Sequence, residues 1–538
     1  MKFKHILITT IATLAVFSSC TDGFEAENTD PNRPILVPIY GIFNNSTKQV
    51  VNYSRGSFGS ARAALPWVNY SAQMEYTEED RYQLRTGTEG NIFDQYYYQA
   101  NNFKNIIGFC DDGSALQYGN VDNQRAASRI MLAYIFHNLT DIFGDVPYYS
   151  YGNPDPDFQA LDVANVAPKF ASQEKIYADL LNELKQAAND IDLANPIIFK
   201  GGGELTFGNS AVKLKKFANS LRLRVANRIK GYAPLSAVAN QHIAELIADP
   251  SQLMSSNSES VGVTFEQSTI NPAPQYTAFF LGDRRNDYTV SNQFLDLLKG
   301  KVSNSGIDSA NPDPRIYEIV MKAGTPITAA QAATYPRSTN LDEYTGMPFG
   351  VPTNQTATQR AVPGGLSFMS FNILKTNYTE YYMEYAEVEF LLSENKGWDD
   401  AHYKAGVTAS LAKWGVAAAT ASSYVNALPP ANQTNVMTQK YVALFMQPYE
   451  TWAEYRRTGY PQFIVKPGDQ INLVTPINGQ NTITFETMPL QGQVLTDLPR
   501  RFQYPYQQET LNNAQYKAAS ENIGGDYLYT KLIFDKNY

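Results

Sequence analysis

The sequence predicts a mainly α fold: a helical scaffold with one face built from long loops, and only a few short strands. Three observations predict it. Apolar residues recur at helical spacing over several separate stretches. Strand-like runs are short and scattered. The long stretch between Tyr232 and Glu380 reads mostly as loop, rich in Asn, Pro, Thr and Gly. Loops of that length in a compact chain are functional or are held by packing onto a scaffold.

The helical stretches follow in order. Ala126 to Phe143 repeats apolar positions at Ile130 and Tyr134, with Met131 and Ile142 beside them. Gln173 to Ile191 carries Ile176, Leu180, Leu184, Ala187 and Ile191, a stripe with a period near 3.6 residues. Val212 to Ile229 does the same with Leu214, Phe217, Leu221 and Val225. Glu380 to Asn395, His402 to Trp414 and Thr438 to Arg457 complete the set. Strands are expected at Gly262 to Phe265, Gln470 to Val474 and Thr482 to Glu486. Neighbouring helices with short links pack as hairpins, so the scaffold is tetratricopeptide-like, although no strict repeat of 34 residues is visible.

The beginning of the chain has its own logic. Lys2, Lys4 and His5 precede an apolar run from Ile6 to Phe17, followed by Ser18, Ser19 and Cys20. A basic start, an apolar run and small residues describe an export signal. The run is about half of the roughly 20 residues a spanning helix needs. Phe-Ser-Ser-Cys resembles the lipobox of bacterial lipoproteins, with Phe17 where Leu is usual. Cleavage before Cys20 and acylation of its thiol are expected. The division is then a signal over 1–19, a lipidated tether over 20–38 and a single domain over 39–538. No later apolar run is long enough to span a membrane.

Composition narrows the function. A net charge of -9 argues against nucleic acid as partner. The only cysteines are Cys20 and Cys110, so a disulfide framework is excluded. Aromatic content is 13%, with 36 Tyr against 4 Trp, and charged content is 18%. Rings with amides and hydroxyls suit neutral polar ligands, because flat apolar faces stack while polar groups fix orientation. Catalysis has little support: no HExxH, no Cys/His ligand spacing, no nucleophile elbow and no P-loop occur. Glu78–Asp80 and Asp399–Asp400 are the carboxylate clusters a glycosidase would need, and adjacent acids more commonly form solvated loops. Cofactors are expected to be none. Asp- and Asn-rich loops could hold a structural calcium ion, although no loop motif points to one.

Candidate ligand contacts lie where aromatics interleave with polar groups. Trp67 leads into Tyr76, Asp80, Arg81, Tyr82 and Arg85. Tyr96 heads a tyrosine triplet on a helix, which points three ways and places one or two rings in the core. The second stretch, 276–288, holds Tyr276, Asp283 and Arg284. The third runs from Tyr344 to Phe349. Trp398, Trp414 and Trp452 read as core.

Several segments carry a resemblance to the SusD/RagB family of outer-membrane lipoproteins of the Bacteroidetes. They are Asn28 to Asn32, Ile130 to Tyr148, Lys216 to Arg228, Asp313-Pro-Arg315, Tyr385 to Glu394, Trp452 to Pro461 and Leu498 to Pro505, with Asn512 behind. The resemblance implies a tetratricopeptide-like scaffold that sits as a lid on a SusC-like TonB-dependent transporter at the cell surface. It implies capture of oligosaccharides without cleavage; some members bind peptides. By position, 76–85 and Tyr96–Tyr98 match the family's N-terminal binding loops, and 276–288 and 344–349 match its middle loops. The scarcity of Trp departs from the starch-binding members. Arg222, Arg224, Arg228, Glu387 and Glu394 lie on largely apolar helices and are expected to pair between helices, since buried charge requires a partner. Rival readings are a peptide-binding member, a surface glycoside hydrolase and a bare protein–protein scaffold.

Overall fold

The computed structural model describes residues 38–281, 287–324 and 328–536. The signal, Cys20 and the tether up to residue 37 lie outside the described residues. Six helices open the fold: α1 (Ile39–Arg55), α2 (Thr88–Asp111), α3 (Val121–Phe143), α4 (Gln173–Asn189), α5 (Ala211–Ile229) and α6 (Ala233–Ala248). Each packs on the next in sequence. Five follow near the C-terminus: α7 (Tyr385–Asn395), α8 (Asp400–Trp414), α9 (Ala418–Asn426), α10 (Gln433–Ala443) and α11 (Pro448–Thr458). Helix α7 packs on α8 and α10 and also on α5, and α11 packs on α3, which joins the two groups. Among the described residues no helix is long and apolar enough to cross a membrane.

Local chemistry sets the boundaries. Side-chain oxygens of Asn120, Ser172, Ser210, Asp399 and Asn432 accept backbone N–H groups in the first turns of α3, α4, α5, α8 and α10. Gly144, with φ of 93°, ends α3 in a conformation that disfavours side chains, and Pro147 follows. Two expectations need correction. Glu380–Met383 is strand, paired with 261–264, because its residues alternate between buried and half-buried. The run from Thr438 to Arg457 is two helices: Met446 takes a positive φ and Pro448 opens α11, since its ring cannot follow a continuous turn.

Three antiparallel pairs make up the described strands: β1 (Ser71–Gln73) with β3 (Tyr288–Val290), β2 (Val261–Thr264) with β4 (Thr379–Met383), and β5 (Gln470–Ile477) with β6 (Gln480–Thr484). The last turns at Asn478-Gly479, both at positive φ, the pairing that tight hairpins favour.

The expected inter-helix ion pairs are present. Arg224 Nε donates to Glu387 at 2.7 Å. Arg228, fully buried on α5, bonds Asp141 of α3 at 3.1 Å and Glu450 of α11 at 2.6 Å, and also reaches Glu454. Arg457 holds Glu394 with two bonds of 2.8 Å. Arg222 lies 3.6 Å from Glu245. Burial pushes the Glu450 carboxyl up, but Arg228 and Arg224 overcome it and hold it at about 2. Arg315 is fully buried on its own Asp313, with Ser410 and Gln439 completing its shell, which explains the Asp-Pro-Arg motif. These charges fix how the helices register. The apolar core fills the space around them, with a smaller cluster of Phe390, Tyr403, Val407, Leu411 and Tyr424 among α7 to α10.

Candidate functional site

Strand pairing assembles the loop face. β1 carries the 67–85 segment and β3 ends the 276–290 segment, so their pairing places the first two candidate stretches side by side. The third joins at the next edge: Met347 N–H donates to Val290 O at 3.0 Å, and Asn292 N–H donates to Met347 O at 2.8 Å. Thr77 bonds Thr353 at 3.1 Å, and Arg360 pairs with Glu75. A C-terminal segment closes the group. Arg81 Nε donates to Glu486 O at 2.8 Å, Met488 N–H donates to Arg81 O at 2.6 Å, and the Phe485 ring packs on Tyr82 and Phe349.

The three candidate stretches do come together, but most of the residues chosen within them face inward. Trp67 is fully buried: its indole N–H donates to Glu79 O at 2.9 Å and its ring meets Tyr82, Trp452 and Phe502. Tyr82 and Phe349 are buried beneath Phe485, and Tyr96 faces the core from α2. Tyr276 packs on Phe280, while Tyr344 donates to Ser338 O at 2.7 Å and packs on Tyr317; both are buried. Asp80 is sealed in, accepting Gln73 N–H at 2.9 Å, and burial pushes its carboxyl up to about 8. These seven are therefore corrected: a side chain that covers another loop has no face left for a ligand. Asp283 and Arg284 lie outside the described residues. The triplet divides as expected, with Tyr96 buried, Tyr97 half-buried and Tyr98 exposed. Trp414 and Trp452 are core, and Trp398 is half-buried.

What remains is a rim. Tyr76 is 50% exposed and sits at φ of 55°, a left-handed conformation that is uncommon for a bulky residue. Such conformations persist only when their surroundings over-determine them; buried Tyr82 shares this one at φ of 69°, so it is exposure that sets Tyr76 apart. The Arg85 guanidinium lies over its ring at 5.5 Å and pairs with Glu79 at 2.7 Å. Arg81 is half-buried at the same rim, and Met488 and Leu490 continue it as exposed apolar side chains that sequence reasoning did not single out. This arrangement can stack an apolar ring face and donate hydrogen bonds beside it. A separate cleft of about 730 Å³ lies between loops 300–308 and 427–435, lined by Asn304, Ser305, Asn432 and Thr434, with no aromatic side chain.

The acidic clusters are largely engaged within the fold, and Cys110 is buried. Asp399 caps α8, and Asp400 pairs with Lys404 at 2.8 Å. Glu79 is held by Arg85 and Gln73. Among the described residues, His137, Asp141 and Glu450 come close enough to share a cation, but Arg228 already bonds both carboxylates. A guanidinium in the middle of the donor set does not fit a metal ion. Cys110 is a buried free thiol at the end of α2, and burial pushes it up to about 12.

The stacked helical scaffold thus presents a rim in which Tyr76, Arg81 and Arg85 come from one loop and Met488 and Leu490 from a second. The chain belongs to the SusD-like family. The family model described as starch-binding, associating with outer membrane, matches residues 31–478, and the model described as Susd and RagB outer membrane lipoprotein matches residues 430–535. Among solved structures, a chitin-binding SusD homolog from Flavobacterium johnsoniae superposes with a TM-score of 0.68 at 20% identity, covering 93% of this chain and 99% of that one. A SusD homolog from Parabacteroides distasonis gives 0.69 at 20%, covering 93% and 98%. Another from Bacteroides thetaiotaomicron gives 0.66 at 17%, covering 94% and 100%. At these identities the superpositions establish the shared mainly helical fold. No curated protein matches the sequence.

Proposed function

We propose that this protein is a glycan receptor anchored at the cell surface by a lipid on Cys20, which captures oligosaccharides for a SusC-like TonB-dependent transporter without cleaving them. The exposed Tyr76 ring at a strained φ, with Arg85 over it, carries the reading. A pyranose would lay its C–H face on the ring, and Arg81 and Arg85 would supply donors to its hydroxyls. Such capture is weak on its own. A transporter closing from the other side would make the contact bivalent and raise the effective concentration. A non-enzymatic role is supported by the acidic clusters: Glu79 and Asp80 are buried, and Asp399 and Asp400 are committed to a cap and an ion pair.

The test uses mature protein lacking Cys20 against an array of plant, host and microbial glycans that includes chito-oligosaccharides. A hit lost in Tyr76→Gly and weakened in Arg85→Gln is the expected result. A blank array from folded protein would overturn free glycan binding and favour a peptide ligand. Release of shortened products over time would instead establish a hydrolase.

A further inference from the structure

The C-terminal loop carries two tyrosines that no expectation singled out. The rings of Tyr527 and Tyr529 lie parallel, with centroids 5.0 Å and planes 9° apart, and the residues are 42% and 46% exposed. The pair is built rather than loose. Leu528 between them is buried; its N–H donates to Gln493 Oε1 at 2.8 Å, and its carbonyl accepts from Arg500 N–H at 2.6 Å. Turning Leu528 inward leaves both flanking rings on the outer side. The loop is closed by Thr530, whose N–H reaches Tyr527 O at 3.1 Å and whose hydroxyl reaches Gly525 O at 2.7 Å. Asp526 ties its base to Arg501, Tyr504 N–H and Tyr516. Gly525 sits at φ of 113°, where a Cβ would come within 2.5 Å of the Tyr527 ring, so only glycine lets that ring lie back against the loop.

Each ring covers the inner face of the other and leaves an outer face open. A ring already braced by its neighbour has little rotamer freedom left to lose when something stacks on it. One segment, 488–493, touches both the Tyr76 loop and the loop that carries the tyrosine pair. Met488 N–H donates to Arg81 O, Gln493 Oε1 accepts from Leu528 N–H, and the five steps from Met488 to Gln493 can span at most about 18 Å. An oligosaccharide of several sugar units is long enough to cover a span of that size.

We propose that the Tyr527–Tyr529 pair is a second stacking subsite, taking a pyranose ring further along the same glycan chain that engages Tyr76. The proposal rests on the glycan reading above and adds a length preference to it. The outer ring face is the recognition element, and the second tyrosine is its brace.

The experiment is calorimetric titration of the mature protein lacking Cys20 with oligosaccharide series, dimer to hexamer, of chitin, xylan, β-glucan and mannan. For the series that binds, affinity should rise with length. Tyr527→Ala and Tyr529→Ala should each weaken the hexamer by about tenfold, the size of one stacking contact, while leaving the dimer within about twofold. Tyr527→Phe and Tyr529→Phe should keep wild-type affinity, because the face does the work. Thermal midpoints check that each variant is folded. Length-independent binding, or both alanine variants matching wild type at every length, would overturn the subsite while leaving Tyr76-dependent capture standing. Wild type that binds none of the four series and no glycan on the array would overturn both readings.

Discussion

Replacing Tyr76 by glycine separates what the ring does for folding from what it does for binding. At φ of 55° an L side chain costs about 1–2 kcal/mol, and glycine removes that cost. Glycine also loosens the unfolded chain by about 0.5–1 kcal/mol, and loss of the ring beneath Arg85 forfeits about 0.5–1 kcal/mol more. The sum lies within about 1 kcal/mol of zero, so Tyr76→Gly should unfold in urea almost where wild type does. Tyr76→Ala keeps the strain without the ring and should be the less stable of the two by about 1 kcal/mol. Binding should respond very differently. A pyranose covering roughly 60 Å² of the ring at about 25 cal/mol/Å² contributes about 1.5 kcal/mol, which is about tenfold in affinity. Urea midpoints and calorimetric titration with the glycan identified on the array measure both quantities. A stability loss above about 2 kcal/mol in the glycine variant would show that the ring is structural. Unchanged affinity would refute Tyr76 as the platform.

Other outcomes follow from the buried charges. Arg228→Leu leaves Asp141, Glu450 and Glu454 without their shared guanidinium and should cost about 3–5 kcal/mol. Because Glu450 is held at about 2 in the folded state, its contribution is present above the ordinary carboxylate range and lost as pH falls toward 2. The gap between wild type and variant should therefore narrow in acid, as urea titrations at stepped pH would show. Asp80 has the opposite sign. Burial raises it to about 8, so its share of stability is full below about 4 and lost as pH rises toward 8. Asp80→Asn should remove that alkaline slope, up to about 1.4 kcal/mol per pH unit, and a flat difference between the two proteins would refute it. Cys110, pushed up to about 12 and buried, should resist alkylation at pH 8 until the protein is unfolded, which mass spectrometry of labelled protein would check.

The helices that were legible are those whose stripe faces one continuous core. Ile176, Leu180 and Leu184 on α4 and Leu214, Phe217 and Leu221 on α5 are all buried. Helix α1 escaped notice because its inner face includes the small polar residues Ser46, Thr47 and Ser54, two of which bond the preceding turn: Thr47 donates to Asn44 O at 3.0 Å and Ser54 to Val50 O at 2.7 Å. Helix α2 opens after Gly87 and is interrupted by Asn and Gln, so its stripe is diluted. The candidate loops do share one face, yet the rings that stand out in their sequence point away from solvent. Trp67, Tyr82 and Phe349 look like ligand platforms locally; they are buried because Phe485 and Trp452 arrive from the far end of the chain to cover them. No window of sequence around a ring reveals whether its cover is water or another loop. The tyrosine pair at 527 and 529 sits beyond every expected stretch, and its parallel packing depends on Gln493 and Arg500 holding Leu528 inward.

The bond from Arg81 to Glu486 closes across 405 positions of sequence. Synthesis from the N-terminus delivers Tyr76 and Arg85 early, but the surface that frames them is complete only once residue 488 has emerged. Closing so large a loop costs little equilibrium stability and a great deal of time. A chain that had emerged only in part would thus have helices to fold and no finished rim. The rim is therefore a late-forming part of the fold, and the helices beneath it can pack first.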